Sequence, residues 1–97
     1  MQNFEKDFEE FCKSPNVDSG KARSYVNAIR YLCDYLEISE MNEETVGKIK
    51  LVENDIRDKE SSFYHDLLIF LSKRRQKSYL EYGFISAALN YLFRYYD

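Results

Sequence analysis

The residues best suited to chemistry in this sequence are four cations in the last third of the chain. They are Lys73, Arg74, Arg75 and Lys77. Ser78 and Glu81 follow with the S-x-x-E spacing of a capping box, which predicts a helix beginning at Ser78. Backbone amides at a helix start and positive side chains both attract anions. The pattern therefore predicts either a phosphate-binding edge or a solvated polar loop between two helices, and both interpretations stay open.

Two further cations, Lys21 and Arg23, repeat this arrangement at the start of the second predicted helix. If the two helix starts face the same side of the molecule, the six cations form one positive surface. Contacts from Lys and Arg to phosphate dominate the affinity of proteins for nucleic acid, so we predict that these six residues contact DNA. The alternative for each group is an ordinary solvated helix end.

The distribution of charge indicates which part of the chain faces a polyanion. The net charge is −3, so the whole surface is not expected to bind nucleic acid. Residues 1–60 contain nine Lys or Arg and fourteen Asp or Glu, whereas residues 61–97 contain five and three. The C-terminal part is therefore the expected contact.

Three tyrosines of the last predicted helix lie off its apolar stripe and are candidates for contact with a partner. They are Tyr79, Tyr91 and Tyr95. Exposed tyrosines stack on bases or fill a pocket in a partner protein. The alternative is that they complete a small core. The simplest protein partner is a second copy of the chain, which gives a homodimer through this helix.

Other patterns resemble catalytic or metal sites but lack the setting that such chemistry requires. Residues 53–59 are rich in carboxylates, yet magnesium sites of nucleases need carboxylates on adjoining strands, and no strand pair is predicted. His65 has no serine or cysteine nucleophile in a recognisable setting. Cys12, Cys33 and His65 lack the spacing of zinc ligands. We predict no enzymatic activity, no cofactor and no metal site.

Apolar residues recur at helical spacing through most of the chain, which predicts helices rather than strands. The expected helices cover residues 3–13, 19–36, 43–50, 62–72 and 78–96. Residues 38–60 have a mixed pattern in which helix is favoured. The last helix carries the broadest apolar stripe and is expected at the centre of the core. Gly83 costs about 1 kcal/mol in a helix interior, so it predicts a close helix crossing or a bend.

Length and composition favour one helical domain. The 97 residues include nine Tyr and seven Phe, three Gly and one Pro, and they suffice for a single core. We predict an all-α, compact orthogonal bundle of four to five helices. Cys12 and Cys33 fall at core-facing helix positions and are expected as buried free thiols rather than a disulfide. No apolar run approaches the ~20 residues of a membrane span and no secretion signal is evident, so we expect a cytoplasmic protein.

Two segments carry a resemblance to a known family. Residues 19–36 (SGKARSYVNAIRYLCDYL) and 78–96 (SYLEYGFISAALNYLFRYY) resemble the first and last helices of the SAM-like, core-binding N-terminal domain of phage-integrase-type tyrosine recombinases. The small-residue run at 86–89 is also similar to helical modules that precede nuclease domains in restriction-system proteins. The resemblance covers residues 19–97. It implies a SAM-like bundle that grips the DNA backbone while a separate domain performs the chemistry.

The resemblance sets limits on activity. A tyrosine recombinase needs an Arg/His set around its nucleophilic tyrosine, and the single histidine of this chain, His65, has no such set nearby. None of the nine tyrosines is therefore expected to act as a nucleophile. We expect residues 1–97 to be the N-terminal module of a longer protein or family.

Two functions follow as hypotheses. The first is a non-catalytic DNA-binding or accessory module of a recombination, restriction or mobile-element system, which contacts duplex DNA through the six cations. The second is a protein-interaction or dimerisation domain, which uses the aromatic C-terminal helix to bind a second copy or an adjoining catalytic domain. No membrane partner is expected.

Overall fold

In the computed structural model, residues 2–13 and 18–97 are described, and these ranges form six α-helices without a strand. The helices are α1 (Gln2–Cys12), α2 (Ser19–Leu36), α3 (Glu43–Arg57), α4 (Ser62–Lys73), α5 (Ser78–Glu81) and α6 (Phe84–Tyr95). The predicted all-α bundle is confirmed. The helix count exceeds the predicted four to five because the closing segment is divided. None of the described helices has the length and apolar character needed to cross a membrane.

Side-chain caps fix where three of the helices begin. Asp18 Oδ1 accepts a hydrogen bond from the Lys21 amide at 2.8 Å, and Ser61 Oγ accepts from the Tyr64 amide at 3.0 Å. These bonds satisfy amides that have no partner within the first helical turn. A reciprocal box between Asn42 and Thr45 starts α3. That helix has 15 residues, so the prediction of a short helix over residues 43–50 underestimated its length.

The closing segment is two helices rather than the single predicted helix, because Gly83 interrupts it. Gly83 has φ +82°, a left-handed conformation that a helix interior does not accept, so the predicted bend is confirmed. The predicted capping box of Ser78 and Glu81 is wrong. Lys77 precedes α5 with helical dihedrals, and no side chain caps this one-turn helix. The basic residues thus lead into a short turn of helix, not into a long capped one.

The core is centred on α6, which packs against α1, α2, α3 and α5. The apolar stripe predicted for this helix is buried, and its fully buried residues are Ile85, Ala88, Leu89 and Leu92. Phe8 of α1 and Leu32 of α2 are also fully buried. Full burial of such a side chain stabilises the fold by about 1.5–3 kcal/mol, so this packing determines where the outer helices lie.

Helices α1 and α2 are antiparallel, and two ion pairs join them. Glu5 contacts Arg30 at 2.6 Å and Glu9 contacts Arg23 at 3.0 Å, so the sequence order reverses between the two helices. Each helix carries one cysteine near its C-terminal end, and the antiparallel arrangement places the two thiols at opposite ends of the pair. Both cysteines are buried and free, as predicted.

Candidate nucleic-acid interface

The predicted cations of the C-terminal half lie on the segment that ends α4 and leads into α5, here called the α4–α5 turn (residues 72–78). The Gln76 amide donates to the Leu71 carbonyl at 2.9 Å, and the Arg75 amide donates to the Ser72 carbonyl at 3.0 Å. This pair of bonds is a Schellman motif, which commonly places glycine in its left-handed position. Here Arg75 takes that position with φ 61°. A left-handed L-residue costs about 1–2 kcal/mol, so the motif holds an exposed arginine at a strained point.

A surface cavity of about 470 Å³ lies at the α4–α5 turn. Its lining residues are Ser72, Arg75, Lys77 and Ser78. The side chains supply two cations and two hydroxyl donors, and no carboxylate belongs to the lining. Charge-assisted hydrogen bonds from such donors are the interactions that hold phosphate oxygens. Binding of an anion in this cavity stays a prediction.

Three cations of the α4–α5 turn are available to a ligand. Lys73, Arg75 and Lys77 are exposed, and none forms an ion pair with another of the described residues. Their positive charge is therefore not neutralised by a neighbouring carboxylate, and it reaches the solvent.

Arg74, the fourth predicted cation, is engaged within the molecule. Its Nη1 lies 3.1 Å from Asp34 Oδ2, and its guanidinium lies 4.2 Å from the ring centroid of Phe70. The side chains of Arg74 and Asp34 are 47% and 44% exposed, so the pair contributes at most about 1 kcal/mol. Arg74 therefore links the C-terminal ends of α4 and α2, and Asp34 offsets its charge.

The cations at the start of α2 have a different environment. Arg23 Nη1 lies 3.0 Å from Glu9 Oε1. The Asp18 carboxylate caps this helix start through the Lys21 amide, so it occupies the place that a phosphate would take. Of the two predicted contacts at this end, Lys21 alone forms no ion pair with a described residue.

The two groups of cations share a side of α2 but are separated along it. Arg23 and Asp34 are eleven residues apart, which is about three helical turns and about 16 Å along the axis. Arg74 contacts Asp34, so the α4–α5 turn adjoins the far end of α2 from Arg23. Tyr79 of α5 contacts α2 between Arg23 and Asp34, where Asn27 Nδ2 lies 3.4 Å from the tyrosine hydroxyl. The structure thus places the six cations in two groups.

The three predicted partner-contact tyrosines are half-buried at the edge of the core. Tyr79 lies on α5, and its ring centroid is 5.1 Å from that of Tyr31. Tyr91 stacks on Tyr25 at 5.1 Å. Tyr95 contacts the rings of three phenylalanines at 5.3–5.9 Å. Each tyrosine completes a cluster of aromatic side chains, and its contact with a partner stays a prediction.

Sequence reasoning missed Tyr82, which is 78% exposed and follows α5 directly. The prediction of one continuous helix from Ser78 placed Tyr82 in the helix interior and did not distinguish it from the neighbouring residues. The available signal was Gly83, because a bend there ends α5 and leaves the preceding tyrosine at its tip. Among the described residues, no group of three or more His, Cys, Asp or Glu side chains is placed to hold a metal ion.

No family model, curated protein or solved structure matched the chain. The resemblance to the integrase-type and restriction-type modules therefore stays a prediction.

Proposed function

We propose that this chain is a non-catalytic module that binds DNA through phosphate groups at the α4–α5 turn, as an accessory part of a recombination, restriction or mobile-element system. The observation that supports the proposal is the cavity lined by Arg75 and Lys77 together with Ser72 and Ser78. Lys73 adds a third cation beside it. These groups match the charge and the hydrogen-bonding capacity of a phosphodiester backbone.

A polyanion fits the surroundings of the cavity better than an isolated small anion. Lys73, Arg75 and Lys77 are exposed at the α4–α5 turn and form no ion pair with another described residue, although the whole chain has a net charge of −3. Three free cations exceed what one phosphate group neutralises, so a ligand with several phosphates gains from more than one of them. The negative remainder of the surface disfavours binding elsewhere and orients the ligand.

The salt dependence of DNA binding tests this proposal. A fluorescent oligonucleotide, both as a single strand and as its duplex, is titrated with protein between about 50 and 200 mM salt. Three phosphate contacts predict that log K falls against log salt with a slope of about −2 to −3. Arg75→Ala combined with Lys77→Ala should weaken binding and flatten that slope by about two contacts.

The matched control for this variant is Lys48→Ala combined with Lys59→Ala. It makes the same change in net charge on exposed residues outside the α4–α5 turn. We expect the control to retain most of the affinity and the parent slope. Absence of binding to either oligonucleotide at low salt, or equal losses in both double variants, would refute the proposal.

A second function is favoured by an aromatic edge between α1 and α6. Phe11 is 39% exposed, and its ring centroid lies 5.3 Å from that of Tyr95. This edge offers apolar surface to a second copy or to an adjoining catalytic domain. Sedimentation velocity over a wide range of concentration tests the dimer: association that Phe11→Ser weakens supports it, whereas a monomer at every concentration contradicts it.

A further inference from the structure

We propose that the DNA bound at the α4–α5 turn is single-stranded, and that Tyr82 stacks on a base beside the phosphate held by Arg75 and Lys77. This inference rests on the proposed function and specifies its ligand. It adds a residue, Tyr82, that lies outside the cavity lining.

Tyr82 lies one helical turn from the cavity. Its amide donates to the Ser78 carbonyl at 2.9 Å, and Ser78 lines the cavity. Residues four apart on a helical turn lie on the same side, so the tyrosine and the cavity are neighbours on one surface. A chain that places a phosphate in the cavity therefore brings its next units to the tip of α5.

The ring of Tyr82 is free to stack. The side chain is 78% exposed, and no aromatic ring among the described residues packs against it. Tyr79, on α5 itself, instead contacts Tyr31 and Phe84. An aromatic face next to a positive groove is the arrangement by which proteins bind single strands without reading their sequence.

The charge next to Tyr82 favours a base rather than a phosphate at this point. Glu81 is exposed and is the single acid in residues 67–96. It repels a phosphate but not an uncharged base. Bases in a duplex are already stacked on each other and must be flipped out before a side chain can stack on them, which opposes this contact in a duplex.

Fluorescence anisotropy with one oligonucleotide and its duplex tests the inference. We expect the parent protein to bind the single strand more tightly than the duplex. Tyr82→Ala should weaken binding of the single strand about tenfold and leave binding of the duplex nearly unchanged. Tyr82→Phe, which keeps the ring, should bind as the parent does. Because Tyr82 is exposed, circular dichroism should show the same helical content in all variants.

Controls separate this inference from the proposed function. Leu51→Ala removes an apolar side chain that is 84% exposed on α3, and it should leave both affinities unchanged. Arg75→Ala should weaken binding of both oligonucleotides. If Arg75→Ala weakens binding but Tyr82→Ala does not, or if the parent prefers the duplex, the single-strand inference is overturned while the proposed function stands. If the parent binds neither oligonucleotide, both are overturned.

Discussion

Glu37 and Arg75 occupy the same left-handed position in two helix caps of opposite charge. Glu37 follows α2 with φ 58°, and Arg75 closes α4 with φ 61°. In both caps, the amide of the next residue donates at 2.9 Å to the carbonyl that lies four residues before the left-handed residue. Because the two caps share a backbone geometry, a change made at both positions separates the effect of strain from the effect of charge.

Replacing either residue by glycine should stabilise the fold. Glycine adopts a positive φ without a steric cost, and this gain exceeds its greater loss of chain entropy, so we expect Arg75→Gly and Glu37→Gly each to raise the free energy of unfolding by about 0.5–1 kcal/mol. Urea denaturation measures the change. Of the two variants, only Arg75→Gly should weaken DNA binding, because it alone removes a cation from the cavity.

The control for charge is Arg75→Asn, since asparagine tolerates the left-handed region but carries no charge. It should match Arg75→Gly in its loss of affinity. Lower stability in Arg75→Gly would show that the arginine side chain stabilises the cap instead of straining it. Equal affinities in Arg75→Gly and Glu37→Gly would contradict the role of the guanidinium.

Release of Arg74 from Asp34 should strengthen DNA binding. Asp34→Asn removes a carboxylate 3.1 Å from the guanidinium and leaves one more free cation beside the cavity. We expect affinity to rise about two- to fivefold and the salt slope to steepen by about one contact. The free energy of unfolding should change by less than about 1 kcal/mol, because both partners are half-exposed.

The matched variant is Glu9→Gln, which makes the same change in net charge and releases Arg23 at the other end of α2. If DNA contacts the α4–α5 turn alone, this variant should leave the slope unchanged. A steeper slope in Glu9→Gln would instead extend the contact to the start of α2. Unchanged binding in Asp34→Asn would contradict a contact beside Arg74.

The helical class and much of the core follow from the spacing of apolar residues. Leu67 and Leu71 on α4 are buried as their spacing predicts, because residues four apart share a helix face. The caps of α2 and α4 were predictable to within one residue, since the pattern allowed Asp18 or Ser19 and Ser61 or Ser62, and the structure uses Asp18 and Ser61. Local patterns suffice for these elements because the interactions that form them lie within a few residues.

The full length of α3 was obscured by a local irregularity. Its buried residues, Val46, Ile49 and Ile56, keep a helical period, but Leu51 falls outside that period and is 84% exposed. The adjacent apolar pair of Leu51 and Val52 therefore fitted either a helix or an extended connection, with helix favoured. Burial of the three periodic residues favours the helix throughout this segment, and the helix tolerates one exposed leucine.

The candidate site could be predicted only in part. The cations of the α4–α5 turn are adjacent in the sequence, so their grouping followed directly. The pairing of Arg74 with Asp34 joins residues 40 positions apart, and the pairing of Arg23 with Glu9 joins residues 14 apart. Such contacts depend on how helices pack, which periodicity does not specify. The two groups therefore carry less free charge than the sequence suggested.

Two glycines should respond in opposite directions to the same substitution. Neither Gly47 nor Gly83 has an atom within 4 Å of an added Cβ, so steric overlap does not distinguish them. Gly47 lies within α3, where Gly47→Ala should stabilise by about 0.5–1 kcal/mol. Gly83 has φ +82°, where Gly83→Ala should destabilise by about 1 kcal/mol or more. Thermal and urea unfolding measure both, and equal signs would contradict the assigned backbone conformations.

The buried thiols make the fold sensitive to alkaline pH. Burial raises the pKa of Cys12 from its ordinary 9.0 to about 11 and that of Cys33 to about 12. Burial also raises the pKa of Tyr95 and Tyr96 above their ordinary 10.0. All four groups favour the protonated form in the folded state, because a charge would lose its hydration there.

Stability should therefore fall as the pH rises above about 9, because the unfolded chain then releases thiol protons that the folded chain retains. Below that pH both states hold these protons, so the cysteine contribution is fully present. Urea denaturation at about pH 7, 9 and 10.5 should show a progressive loss in the free energy of unfolding. Cys33→Ala should make the decline shallower, and the tyrosines should maintain part of it above about pH 10. A free energy of unfolding that stays constant or rises over this range would contradict burial of both thiols.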